Sequence, residues 1–107
     1  MDELIQVLTA IGSKEDAQKV ANAIVGEHLA ACVQIIGPIT STYWWQGMME
    51  TADEWLCLMK TRQELYEQVE QAIRAIHPYD EPEILAMPVI AGSRTYLDWI
   101  VSETTPA

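Results

Sequence analysis

The chain has 107 residues, half of them hydrophobic and 21% charged, and its 16 acidic against 6 basic side chains give a formal net charge of -10. A chain of this length buries roughly two thirds of its unfolded surface, so it can form a core without disulfide or metal staples, and its composition excludes a disordered polyelectrolyte. Six scattered basic residues also exclude the Lys/Arg stripe that neutralises a nucleic-acid backbone.

From Glu3 to Ile11 the chain is β-prone and apolar on both parities, which predicts a strand buried on both faces. Gly12 and Ser13 end it, and Ser13-Lys14-Glu15-Asp16 has the S-x-x-D pattern of a helix start. Ala17, Val20, Ala21 and Ile24 then recur at helical spacing, and the helix is expected to fade between Gly26 and His28. Leu29 to Ile36 and Ile39 to Gln46 form one long strand interrupted by Gly37-Pro38, rich in β-branched and aromatic residues. Gly47 marks a turn, and Glu54 to Lys60 returns as the second arm of a hairpin. That turn places Cys57 opposite Pro38 and Ile39, away from Cys32, so no disulfide is expected.

Thr61-Arg62-Gln63-Glu64 reads as a capping box, followed by a helix with Leu65, Val69, Ala72, Ile73 and Ile76 on one stripe. His77-Pro78-Tyr79-Asp80-Glu81-Pro82 is a loop, because each proline turns its predecessor away from helix. Glu83 to Ala91 is a fourth strand that Pro88 confines to an edge or bulge, and Gly92-Ser93 opens a short last helix with Leu97, Ile100 and Val101. The tail Thr104-Thr105-Pro106-Ala107 is expected to fray.

This order predicts an α+β chain of βαββαβ type with an extra C-terminal helix. Its antiparallel sheet carries a long hairpin between the second and third strands, all within one domain spanning 1–107. Helices cover one sheet face only, yet Leu29/Ala31/Val33/Ile35 and Ala30/Cys32/Ile36 are apolar on both parities, as are the strands around Leu58 and Met87. A second copy of the chain is the expected cover, with the third helix as the competing one. The start Met1-Asp2-Glu3 lacks the basic and apolar regions of a secretory leader, and no apolar run reaches the ~20 residues of a membrane helix. With Cys32 and Cys57 unpaired in spacing, the expectation is a cytoplasmic protein with no membrane or nucleic-acid partner.

Four runs carry a resemblance: Gly26-Glu27-His28-Leu29-Ala30-Ala31-Cys32-Val33, Ile39-Thr40-Ser41-Thr42-Tyr43-Trp44-Trp45-Gln46-Gly47, Lys60-Thr61, and His77-Pro78-Tyr79-Asp80-Glu81-Pro82-Glu83-Ile84. In this order they closely resemble the divalent-cation tolerance CutA family, over essentially the whole chain. The resemblance implies a ferredoxin-like homotrimer, cytoplasmic in most relatives and tied to tolerance of copper and other divalent ions. Its fold would be similar to that of the PII signalling proteins. The chain departs from the usual pattern at Gln46 and Met48 of the hairpin tip, where relatives often carry Glu and Lys. It departs again at Asp80-Glu81, where Glu-Val is common.

The residue chemistry leaves several readings open. Thiolate, thioether and imidazole ligands suit copper or zinc, but no C-x-x-C or H-x-x-H spacing writes a closed site. The family motifs point to Cys32, His77 and Glu83 as interfacial ligands for copper or another divalent cation. Each also has a structural explanation: Cys32 as a small strand hydrophobe, and His77 as an imidazole at a helix C-terminus. A second reading is a PII-like sensor whose intersubunit cleft holds a small molecule on Trp45, Lys60, Tyr79 and Glu83. An enzyme using His77 with Glu83 or Asp80 lacks any evident nucleophile, so the protein is read as non-enzymatic. In a fourth reading, metal is attracted only by the surface carboxylates.

Overall fold

A computed structural model describes residues 3–105. The residues behind the absent-leader reading, Met1 and Asp2, and the tail residues Pro106 and Ala107 lie outside that range. The chain runs β1 (Leu4–Ile11), α1 (Lys14–Gly26), β2 (Cys32–Trp45), β3 (Met48–Arg62), a 3-10 turn (Gln63–Leu65), α2 (Tyr66–Ile76), β4 (Leu85–Pro88) and α3 (Arg94–Thr104). The four strands form one antiparallel sheet in the order β2-β3-β1-β4, the ferredoxin-like arrangement with an added C-terminal helix. β4 is shorter than the Glu83 to Ala91 reading, and Pro88, which cannot donate to a ladder, ends it on the sheet edge.

Local chemistry sets both ends of α1. The Ser13 hydroxyl accepts from the Asp16 N–H at 3.1 Å, as the S-x-x-D pattern predicts. At the other end His28 takes φ 57°, the Leu29 N–H donates to the Ile24 carbonyl, and the His28 N–H to that of Val25. Such a left-handed residue closes the helix by satisfying its last carbonyls. Ala17, Val20, Ala21 and Ile24 are all buried on the sheet, joined by Val69 and Ile73 of α2.

The expected capping box does not form. Thr61 is still within β3, fully buried, and its hydroxyl donates to the Leu29 carbonyl, while Glu64 pairs with Arg62. With its N-capping hydroxyl consumed by the neighbouring segment, the chain enters α2 through the 3-10 turn, which has no side-chain cap.

The hairpin joining β2 and β3 turns through Gln46 (φ 50°) and Gly47 (φ 80°), with Trp45 paired to Met48. Two successive positive φ values define the tight turn that matches strand twist. The register shifts between Ile36, opposite Leu56, and Ile39, opposite Glu54. One extra residue is thus accommodated in β2, and a Cβ on Gly37 would strike the Trp55 indole. Cys57 consequently faces Ile35, not Pro38 and Ile39 as the turn position alone suggests, and both cysteines are free. The hairpin draws the molecule out to 45 Å against 25 and 21 Å in the other directions.

On the helix-covered face lie Ile5, Val7, Ile11, Cys57 and Met59. The opposite face carries Leu4, Leu8, Leu56, Leu58, Arg62, Leu85 and Met87, by the strand register. α3 covers one end of it. Arg62 donates to the Thr104 hydroxyl (3.0 Å) and carbonyl (2.7 Å), Ile100 is buried, and the His28 ring meets the Glu103 carbonyl at 2.8 Å. The rest stays open, with Ile36 at 49%, Leu85 at 53% and Met87 at 45% exposure.

Candidate functional site

The register shift at Ile36/Ile39 decides which hairpin side chains reach the open face. Below it, even-numbered β2 residues share that face with even-numbered β3 residues. Beyond it Ile39, Ser41, Tyr43 and Trp45 do so, opposite Glu54, Ala52, Glu50 and Met48. Tyr43 and Trp45 therefore stand on the same face as Glu54, and Trp44 on the other.

The second wall is the loop after α2, and His77 fixes it. β4 pairs with β1 only as far as Leu8, so the Ala10 carbonyl lies beyond the ladder. The buried His77 Nε2–H donates to it at 2.9 Å, while Nδ1 accepts the Tyr79 N–H at 3.2 Å. The Tyr79 ring packs edge-on against the imidazole, with centroids 4.7 Å apart. Its hydroxyl crosses beneath the end of β1 to donate to Glu54 Oε2 at 2.9 Å.

Between these walls lies a cleft of about 820 Å³, lined by Ala10, the outer hairpin from Ser41 to Trp45, Glu54 and the loop from Tyr79 to Glu83. Among the described residues four carboxylates line it, those of Glu54, Asp80, Glu81 and Glu83, and no Lys, Arg or His does. Glu54 is the most enclosed, at 8% exposure. Burial, and then the hydrogen bond and charge of Glu54, push the Tyr79 phenol from its ordinary 10 up to about 12.

A pH dependence follows. A phenol held protonated by the fold contributes stability that is complete below the unfolded value of 10 and is lost as pH rises through about 12, because the unfolded chain releases the proton first. The urea midpoint is expected to fall across this window, and to fall less in Tyr79→Phe. Identical pH slopes in the two proteins would show that Tyr79 carries none of the dependence.

The cleft gathers three of the four residues assigned to a small-molecule site, Trp45, Tyr79 and Glu83, but not Lys60. Lys60 pairs with Gln6 and Cys32 at the far end of the sheet, and its ammonium is bonded to Gln34. Cys32 is likewise remote from the cleft, beside Lys60 and the Tyr96 hydroxyl. One chain therefore does not bring Cys32 to His77 and Glu83, and both His77 ring nitrogens are engaged. Among the described residues no three His, Cys, Asp or Glu side chains are placed to hold one metal ion. Sequence reasoning missed Glu54. Its only signal is a carboxylate on the same strand parity as Leu56 and Leu58.

The match to a family model, CutA1 divalent ion tolerance protein, extends over residues 5–103. The chain is 43% identical over 98 residues to the divalent-cation tolerance protein CutA of Thermus thermophilus, covering 92% of this chain and 95% of that one. It is 39% identical over 100 residues to the chloroplastic protein CutA 1 of Oryza sativa, covering 94% of this chain but only 56% of that longer protein. The crystal structure of CutA1 from Oryza sativa superposes with a TM-score of 0.95 at 37% identity, covering 99% and 97% of the two chains. The chain belongs to the CutA1 divalent ion tolerance family.

Proposed function

We propose that this CutA1-family chain acts in tolerance of divalent metal ions as a non-enzymatic cytoplasmic homotrimer that binds copper or a related ion at clefts between copies. The observation that carries the reading is the carboxylate-lined cleft, free of basic residues and beside an uncovered apolar sheet face. Packing further copies against Ile36, Leu85 and Met87 would bury that face. It would also bring ligands of one chain to the cleft of the next. Cys32 lies too far along the sheet to join Glu83 of its own chain, so in this reading it comes from a neighbouring copy. His77, with both nitrogens engaged, holds the cleft wall in place and enters the metal shell only if a bond to Ala10 or Tyr79 opens.

The test is a calorimetric copper titration of the reduced protein at physiological ionic strength with a competing chelator, beside Cys32→Ala and Glu83→Gln. Sedimentation of the same samples reports whether three 12.0 kDa chains associate. Expected is saturation at one ion per chain or one per trimer, lost in both variants. Weak, unsaturable binding unchanged by either would reduce the metal interaction to diffuse attraction by surface carboxylates, which salt suppresses.

A further inference from the structure

We propose that Met49, beside the turn of the β2-β3 hairpin, is a site of reversible oxidation by hydroperoxides, and that its sulfoxide changes the setting of the Trp44 indole opposite it. The inference goes beyond the metal reading, because it uses neither the cleft nor the open sheet face.

Exposure is the first argument. Met59 is fully buried between the helices and the sheet, and Met87 is 45% exposed on the open face, whereas Met49 is 68% exposed. The hairpin register turns Met49 and Trp44 to the side away from the open face, in line with the pairs Thr42–Thr51 and Thr40–Asp53. α1 and α2 pack on that side around Cys57 and Met59 and stop short of the hairpin tip, which leaves Trp44 75% exposed. Copies that cover Ile36, Leu85 and Met87 lie on the other face from Met49. A thioether so placed meets dissolved peroxide directly.

Position in the ladder is the second argument. Trp45 and Met48 flank the two-residue turn Gln46-Gly47 and form its hydrogen-bonded pair, so Trp44 and Met49 form the next, non-hydrogen-bonded one. Side chains approach most closely in such pairs, and a thioether beside an indole is a favourable contact. The preceding pair on this face is polar, with the Thr42 and Thr51 hydroxyls 3.2 Å apart. Oxidation of Met49 therefore acts on the last cross-strand pair of its face, where few buried contacts oppose local opening.

The chemistry balances. A sulfur lone pair attacks the terminal peroxide oxygen, the S–O bond forms as the O–O bond breaks, and the departing hydroxide or alkoxide takes the proton from that oxygen. The thioether is oxidised by two electrons, and the peroxide is reduced to water or an alcohol. The product is a polar sulfoxide in place of the apolar neighbour of the indole, and methionine sulfoxide reductases return it to the thioether.

The experiment treats the full-chain protein with hydrogen peroxide at neutral pH in the presence of a chelator, and follows oxygen addition by peptide mass mapping and tryptophan emission. Met48→Leu is run beside the native chain, so that the tip peptide carries Met49 alone. Circular dichroism checks that each chain is folded while it reacts. Expected is oxidation of Met49 at least about tenfold faster than of Met59 and about threefold faster than of Met87, with the differences erased in urea. The emission change that accompanies it is expected to be absent from Met49→Leu and Trp44→Phe, retained in Met87→Leu, and reversed by the methionine sulfoxide reductases of both epimers. Three results overturn the proposal. One is a Met49 rate no faster than that of Met87, another is an emission change that is missing from the native chain or persists in Met49→Leu, and the third is a sulfoxide at Met49 that the reductases do not remove. The chelator keeps copper out of the reaction, so failure of the metal reading leaves these expectations unchanged.

Discussion

Truncation of His77 to alanine is expected to destabilise the chain by about 1–3 kcal/mol, because it leaves the buried Ala10 carbonyl without its partner, while the part-buried Tyr79 N–H is left to water. The imidazole bridges these two groups, tying the end of β1 to the loop that walls the cleft. Its loss also releases the edge contact with Tyr79 and weakens the Tyr79–Glu54 bond. Urea unfolding measures the first effect. Alkaline spectrophotometric titration, differenced against Tyr79→Phe, measures the second, since the phenol now titrating near 12 should move back toward 10. A cost below about 0.5 kcal/mol, the ordinary range of a surface substitution, together with an unmoved phenol, would mean that the loop holds its position without His77.

Ile73→Ala is expected to cost about 2–5 kcal/mol, the transfer term of the lost side chain plus the cavity it leaves. Ile73 is 0% exposed and packs in the cluster between α1, α2 and the sheet. For a chain of this size that is a large part of a total stability of about 5–15 kcal/mol. The informative control is Ile76→Ala. Ile76 lies on the same helical stripe but at the last residue of α2, where it is 43% exposed. It should change stability by no more than about 0.5 kcal/mol. Midpoints must be compared at equal protein concentration, since any association shifts them by mass action. Unlike His77→Ala, Ile73→Ala should leave the Tyr79 titration in place while the protein is folded, which separates the core from the cleft wall. Equal effects of the Ile73 and Ile76 substitutions would contradict the packing described for α2.

Particular residues show where sequence reading succeeds. The Ser13 cap, the α1 stripe, the Gly47 turn and the edge position of Pro88 depend on chemistry within a few residues. Each appears in the structure as its local pattern requires. The capping box at Thr61 shows the limit. Its hydroxyl satisfies the Leu29 carbonyl 32 residues away, and a buried long-range acceptor overrides a local motif that could equally have been capped by water. The same limit applies to the site. Trp45, Tyr79 and Glu83 meet, but Lys60 and Cys32 lie four strand positions from the Ala10 end, a separation that the register sets and that no motif records.

The sequence by itself determined the order of elements and the apolar character of both sheet faces, because strand parity, helical spacing and turn chemistry are all local, and the resemblance of its four motif runs pointed to the family. Only the tertiary structure decided which aromatic residues share a face with Glu54. That outcome hangs on one extra residue between Ile36 and Ile39, which reverses the parity of the outer hairpin and turns Tyr43 and Trp45 to the cleft. Alternation along a strand fixes which side chains lie together, but the face they take is set by pairing with a partner strand, and that pairing is a property of the folded chain.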